Sequence, residues 1–106
     1  MQYDLIVIGA GGSGMTAAMH ALENGVSSIA IIESSHVTGG TTAISGGSFY
    51  ALDTPQIKEA GIRRGVPEVL NEYLSFARYD GVDPYLIQRW LYATKDMAAW
   101  IESRGV

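Results

Sequence analysis

A cluster of glycines near the amino terminus has the spacing of a phosphate-binding loop. It fits the pattern G-x-G-x-x-G and reads Gly9-Ala10-Gly11-Gly12-Ser13-Gly14. In such a loop Gly9 permits a tight turn, Gly11 lets a diphosphate approach the backbone, and Gly14 lets the following helix pack closely on a strand. The start of that helix offers unpaired N–H groups and about half a positive charge to the phosphates.

The charge distribution determines how this loop could hold an anion. Residues 1–50 contain no Lys or Arg, and their only acids are Asp4, Glu23 and Glu33. If this half of the chain binds a dinucleotide, backbone amides and the helix dipole must neutralise the phosphates, because no cationic side chain is available. The alternative is that the glycines make only a tight turn between a strand and a helix.

Glu33 follows the glycine loop by about twenty residues, at the end of a second apolar run. An acid at that position accepts hydrogen bonds from the ribose hydroxyls of a bound dinucleotide. It also repels a 2′-phosphate, which disfavours NADP. The alternative is a solvated glutamate at a strand end.

A second glycine cluster, Gly39-Gly40 and Gly46-Gly47, comes directly after this acid. The first 33 residues fit an NAD-binding unit as well as a flavin-binding one, but a minimal NAD fingerprint does not need the second cluster. A larger cofactor that continues toward a flavin ring needs another close-approach backbone surface, to which nearby hydroxyls could donate. Those hydroxyls belong to Thr41, Thr42, Ser45 and Ser48. The alternative is a flexible surface loop.

The elements that would position these residues follow from hydrophobic periodicity. The apolar runs 5–8 and 29–32 predict strands, the first of them buried on both faces. Apolar residues at helical spacing predict a helix over 13–24, with Gly25 just past its end. Strand, helix and strand within 33 residues form a βαβ unit, which makes the strands parallel. The fold class predicted is α/β, with an incomplete Rossmann-like sheet.

The rest of the chain predicts a loop and two helices. The polar, glycine-rich residues 34–48 form a loop with room for one helical turn. Pro67 at the first helical position starts one amphipathic helix, and Asp83-Pro84 supplies the N-cap and first turn of the next. Residues 55–64 stay ambiguous between a short helix and a loop.

Composition excludes several classes of protein. The chain has 106 residues, a formal net charge of −4, 47% apolar residues and 17% charged residues, so it is not intrinsically disordered. No apolar run approaches the roughly 18 residues that cross a bilayer. The mild acidity argues against a general nucleic-acid binder.

The chain contains no cysteine, which excludes disulfides, thiolate catalysis and Cys-ligated zinc. His20 and His36 lack a second ligand at metal spacing, so we predict no metal site. We also assign no catalytic residue. No signal peptide is visible, and the expected location is the cytoplasm.

The three motifs together resemble a known family. The stretch from Tyr3 to Gly14, then Glu33, then Gly39-Gly40-Thr41-Thr42-Ala43-Ile44-Ser45-Gly46-Gly47 looks like the start of the fumarate reductase/succinate dehydrogenase flavoproteins. That family includes soluble fumarate reductases, urocanate-type reductases and 3-ketosteroid dehydrogenases. The segment 83–106 also resembles the helix that follows the family's glycine loop.

The resemblance implies FAD as the cofactor and assigns roles to individual residues. Ser13 would contact the diphosphate through its backbone, and Glu33 would hold the adenosine ribose. Ser34 stands where family members often carry a lysine. Gly40 stands where the covalent-flavin branch has a histidine, so the FAD is expected to be noncovalent. The complete predicted cofactor-binding set is Gly9, Gly11, Gly12, Ser13, Gly14, Glu33, Ser34, Gly40, Thr41, Thr42, Gly46 and Gly47.

The resemblance also implies that residues 1–106 are the N-terminal part of an FAD-binding domain. In this reading 1–33 form the βαβ fold, 34–50 the flavin-contacting loop and 55–106 a helical segment. The chain is then a fragment of a larger flavin-dependent reductase or dehydrogenase acting on a C=C or C–C bond, and it is inactive alone. Its partners would be the rest of the flavoenzyme, or a complementary chain, and a small-molecule substrate. The alternatives are a non-catalytic nucleotide-binding or assembly module, and an NAD-binding Rossmann unit.

Overall fold

The computed structural model describes residues 1–78 and 80–106, which form two compact units, Met1–Ser48 and Phe49–Val106. The first unit contains two strands and two helices, and the second contains three helices. In chain order the elements are β1 (Leu5–Ile8), α1 (Gly12–Glu23), β2 (Ile29–Ile32), α2 (Gly40–Ala43), α3 (Pro55–Glu59), α4 (Val66–Phe76) and α5 (Pro84–Glu102).

The first unit is the predicted βαβ arrangement. Strands β1 and β2 pair in parallel, from Leu5 opposite Ile29 to Ile8 opposite Ile32. Helix α1 connects them and ends at Glu23, one residue before the predicted end, with Gly25 beyond it at a φ of +89°. The short helix α2 is the single helical turn expected in the polar loop. The α/β class and the two-stranded incomplete sheet are therefore confirmed within the described residues.

Helix α1 contacts both strands through small side chains. Ala18 is buried, and Gly14 lies directly against Val7, so the helix axis can approach the sheet closely. Along β1 burial alternates, and Ile6 and Ile8 are 53% and 86% exposed. The prediction that this strand is buried on both faces is wrong for the described residues, because α1 covers one face of a two-stranded sheet.

The second unit packs α4 against α5. Its buried apolar cluster consists of Leu52, Val69 and Leu91. Helix α5 begins as predicted, because the Asp83 carboxylate accepts hydrogen bonds from two first-turn N–H groups. Pro67 is the second residue of α4 rather than the first, since the helix starts at Val66. Within the described residues, no helix has the length and apolar character needed to span a membrane.

Thr94 joins the segment before α3 to helix α5, a role that the apolar pattern did not indicate. Its side chain is 2% exposed. Its hydroxyl accepts a hydrogen bond from Leu52 N–H at 3.1 Å and donates one to the Leu91 carbonyl at 2.7 Å. The hydroxyl therefore satisfies a backbone donor that would otherwise be buried without a partner.

We expect Thr94→Val to lower the free energy of unfolding by about 2 kcal/mol, because it leaves the buried Leu52 N–H group without a hydrogen-bond acceptor. Thr94→Ser is the matched control. It keeps the hydroxyl and loses one methyl group, which costs about 0.8 kcal/mol. Urea unfolding of the full chain measures both variants. A valine variant as stable as the parent chain would show that the hydroxyl bond contributes nothing.

Candidate functional site

The turn between β1 and α1 has the geometry of a phosphate-binding loop. Gly9 has a φ of +97°, a region that side chains larger than hydrogen strongly disfavour. Its N–H donates to the Ile32 carbonyl at 2.7 Å, which ties the loop to the end of β2. A methyl group at Gly14 would lie 1.9 Å from the Gly9 carbonyl oxygen, so α1 can start this close to the strand only with glycine there.

The start of α1 presents several backbone donors. Met15 N–H is the first to bond back to the turn, reaching the Gly11 carbonyl at 3.0 Å. The N–H groups of Gly11, Ser13 and Gly14 find no acceptor in the described part of the chain. Unpaired donors at a helix N-terminus, reinforced by the helix dipole, favour an anion. The first unit, residues 1–48, has no Lys or Arg that could serve instead.

Glu33 lies at the end of β2 and bonds directly to the glycine loop. Its Oε2 accepts from Ala10 N–H at 2.8 Å, and its Oε1 accepts from Ser35 N–H at 2.9 Å. The Ser34 hydroxyl donates to the same Oε1 at 3.3 Å. The carboxylate thus connects the two strand ends and reaches the loop at which the helix begins.

These bonds change the acidity of Glu33. The hydrogen bond from Ala10 N–H, followed by that from Ser35 N–H, holds the pKa of the Glu33 carboxyl below its ordinary value, against a smaller opposing effect of burial. The group is therefore an acceptor-only carboxylate at neutral pH. That is the form required to receive hydroxyl donors.

The second glycine cluster folds back onto the first. Gly39 N–H donates to the Ala10 carbonyl at 2.7 Å, and Gly39 pairs with Gly11 as an isolated parallel bridge. A methyl group at Gly40 would lie 3.6 Å from the Gly11 Cα atom. The Thr42 hydroxyl accepts from Gly12 N–H at 3.1 Å. The two glycine clusters therefore form one continuous backbone surface around the start of α1.

The structure brings most of the predicted residues together in the first unit. The two loops, Glu33 and Ser34 are linked through the contacts above. Gly46 and Gly47 follow α2, and a methyl group on either would meet no atom within 4 Å. The hydroxyl of Thr41 makes no hydrogen bond within the described residues. The part that these three residues play at the flavin end of the cofactor stays a prediction.

Sequence reasoning did not predict three of the contacts in this geometry, although Gly39 and Thr42 lie in the segment that it singled out. Ala10 supplies the N–H that binds Glu33, Gly39 supplies the bridge between the loops, and Thr42 is turned toward Gly12. The glycine patterns marked the right segments. No spacing rule, however, connects Thr42 to a backbone amide thirty positions earlier in the chain.

A βαβ unit with this glycine turn, unpaired helix amides and a strand-end acid is a dinucleotide-binding unit. Residues 4–106 match the family described as FAD binding domain. The chain belongs to that family, and FAD is the cofactor that the family indicates. The cofactor and the flavoprotein resemblance predicted from the three motifs are confirmed.

Curated relatives include flavoenzymes of several kinds. A 3-oxosteroid 1-dehydrogenase of Mycobacterium tuberculosis is 31% identical over 100 residues, which cover 94% of this chain and 17% of that protein. A vinyl phenol reductase of Lactiplantibacillus plantarum is 30% identical over 104 residues, covering 98% and 20%. An acrylate reductase flavoprotein subunit of Shewanella woodyi is 34% identical over 77 residues, covering 73% and 15%. The chain thus spans a fifth or less of the length of each of these relatives.

Proposed function

We propose that the start of α1 holds the diphosphate of a noncovalent FAD. The observation that carries this proposal is that the N–H groups of Gly11, Ser13 and Gly14 have no acceptor among the described residues, in a unit without Lys or Arg. Each group can donate to a phosphate oxygen, and the helix dipole adds to the attraction. Gly11 leaves space for the approach, since the nearest atom to a methyl group there would be the Gly39 carbonyl oxygen at 3.9 Å.

Glu33 would bind the adenosine ribose while it continues to hold the loop. Each carboxylate oxygen can accept about two hydrogen bonds. Oε2 accepts one, from Ala10 N–H, and so keeps room for a ribose hydroxyl. Oε1 already accepts from Ser35 N–H and from the Ser34 hydroxyl, so a second ribose hydroxyl would displace Ser34.

The second loop would line the path from the diphosphate toward the flavin ring. Its contacts with Gly11 and Gly12 support this placement, because they put Gly40 and Thr42 beside the free amides. The residues proposed to line this path are Gly40, Thr41, Thr42, Gly46 and Gly47. Gly40 stands where the covalent-flavin branch of the resembling family has a histidine, so we expect FAD to be released intact when the protein is denatured.

We further propose that the chain serves a flavin-dependent oxidoreductase. The supporting observation is that the relatives named above are dehydrogenases and reductases. Bound FAD would supply hydride transfer to or from a C=C or C–C bond of a small organic substrate. This chain's residues would anchor and orient the cofactor, while the rest of the enzyme or a complementary chain would bind the substrate. The cytoplasmic location stays a prediction.

Titration of the full chain with FAD, NAD and NADP tests the proposed cofactor site. We expect FAD to bind with at least tenfold lower Kd than either nicotinamide dinucleotide, measured by quenching of flavin and protein fluorescence. Heat or acid denaturation should then release all of the bound flavin into the supernatant. Preferential NAD binding, or flavin retained on the precipitated protein, would contradict the proposal.

A further inference from the structure

Thr42 makes a side-chain bond that reaches from the second glycine loop to the first. Its Oγ1 accepts from Gly12 N–H at 3.1 Å. Gly12 is the first residue of α1, and Gly11 before it has no side chain that could cap the helix. Gly12 N–H is one of the first-turn donors that have no partner inside the helix, and Thr42 supplies an acceptor for it from thirty positions further along the chain.

The bond helps to decide which amides of the first glycine loop have an acceptor within the protein. Ala10 N–H is directed to Glu33, and Gly12 N–H is directed to Thr42. The Gly11 amide lies between them, and it has no acceptor within the described residues, as is also true of Ser13 and Gly14. Two protein acceptors thus take alternate donors and leave a defined set for a ligand.

We propose that Thr42 is a positioning residue for the FAD site, an inference that rests on the proposed placement of the diphosphate at the start of α1. By accepting from Gly12 N–H it fastens the second glycine loop to the first and fixes which amides face the diphosphate. Its own hydroxyl proton is not used by the Gly12 bond, so the same oxygen can accept from the protein while donating outward.

The packing around the bond explains why both residues have the types they do. A methyl group at Gly12 would lie 2.7 Å from Thr42 Oγ1 and 3.0 Å from its Cγ2 atom. Only glycine lets the threonine hydroxyl reach the amide. Helix α2 has four residues and no side-chain cap of its own, so its position depends on this bond and on the Gly39 N–H bond to the Ala10 carbonyl.

Amide hydrogen exchange at Gly12 in the cofactor-free full chain tests the bond itself. Thr42→Val removes the hydroxyl at nearly constant volume, and we expect exchange at Gly12 to rise about fivefold. Thr42→Ser restores the acceptor and is expected to stay within about twofold of the parent chain. Thr41→Val is the matched control, because the Thr41 hydroxyl bonds to nothing in the described structure. It should leave Gly12 exchange unchanged.

The FAD dissociation constant tests whether the bond between Thr42 and Gly12 contributes to cofactor binding. We expect Thr42→Val to raise it about fivefold and Thr42→Ser to restore it. Gly12→Ala provides a second route if the valine variant does not fold, since the added methyl pushes Thr42 away and should raise the Kd similarly. In a double variant, Gly12→Ala with Thr42→Ser, we expect the Kd for FAD to rise by less than the combined effects of the two single variants.

The outcomes separate this inference from the proposed function. Gly12 exchange that is unaffected by Thr42→Val, or equally affected by Thr41→Val, overturns the inference even if the parent chain binds FAD tightly. Normal FAD affinity in both Thr42→Val and Gly12→Ala also overturns it. A parent chain that binds no FAD, yet shows the expected exchange pattern, overturns the proposed function and leaves the bond between the loops established.

Discussion

Gly14→Ala is expected to lower the free energy of unfolding by roughly 3 kcal/mol or more, the range in which overpacking without a compensating shift falls. The added methyl group would lie 1.9 Å from the Gly9 carbonyl oxygen and 3.2 Å from Val7 Cγ1. The neighbour that must move is backbone, so no side-chain rotation relieves the overlap. Either α1 retreats from β1 or the Gly9 peptide turns.

Both rearrangements would also harm cofactor binding. Turning the Gly9–Ala10 peptide, which carries the Gly9 carbonyl, moves Ala10 N–H away from Glu33, and moving α1 carries the free amides of Ser13 and Gly14 away from the loop. We therefore expect FAD binding to fall below detection at micromolar protein. Urea unfolding of the cofactor-free full chain and flavin fluorescence measure the two effects separately.

Gly46→Ala is the matched control for the stability measurement. Gly46 belongs to the same unit, its φ is not in the left-handed region, and a methyl group there meets no atom within 4 Å. Its urea midpoint should stay close to that of the parent chain. If Gly14→Ala unfolds at the same urea concentration as Gly46→Ala, helix α1 does not lie as close to β1 as the structure places it.

Glu33→Gln is expected to raise the Kd for FAD roughly ten- to a hundredfold, the range for loss of charge-assisted hydrogen bonds. Glu33 presents one oxygen to Ala10 N–H and the other to Ser35 N–H. Glutamine has one oxygen and one NH₂ group, so it must turn a donor toward one of these donors. The loop loses an anchor, and the ribose loses a charged acceptor.

The same carboxylate gives the chain a pH dependence of defined sign. The Ala10 and Ser35 N–H bonds lower the pKa of Glu33 in the folded chain. The stabilising contribution is therefore complete above the unfolded glutamate pKa of about 4.3 and is lost as the pH falls through the lowered folded value. The stability difference between the parent chain and Glu33→Gln should be constant near pH 7 and shrink below about pH 4.3.

Glu23→Gln is the control for both measurements. Glu23 ends α1 at the opposite end from the glycine loop and pairs with His20 on an exposed surface. Its replacement should leave the FAD affinity unchanged. Should Glu33→Gln bind FAD as tightly as Glu23→Gln does, Glu33 would be neither an anchor for the loop nor a ribose ligand.

Local signals in the sequence were sufficient for the secondary structure of the first unit. Both strands have the predicted bounds, and α1 differs from the prediction by one residue at each end. The reason is that β-branched runs, glycine breaks and helical spacing all act within a few residues. The same applies to Asp83, whose side chain caps the helix it directly precedes.

Burial was harder to predict because it depends on what packs against each element. The Leu5–Ile8 run indicates a strand covered on both sides, yet Ile6 and Ile8 are exposed in the described structure. Thr94 gave no apolar signal and is nevertheless buried, since its hydroxyl satisfies Leu52 N–H. Periodicity detects the face of an element, but it carries no information about the partner that covers that face.

The sequence by itself determined the chemistry available to this protein: a glycine turn before a helix, an acid at a strand end, and no Lys or Arg in the first fifty residues to compete with backbone amides. Only the tertiary structure decided which amides are left for a ligand. Glu33 takes Ala10 N–H and Thr42 takes Gly12 N–H, over separations of 23 and 30 positions. Those pairings depend on where folded segments meet in space, and no local pattern encodes that meeting.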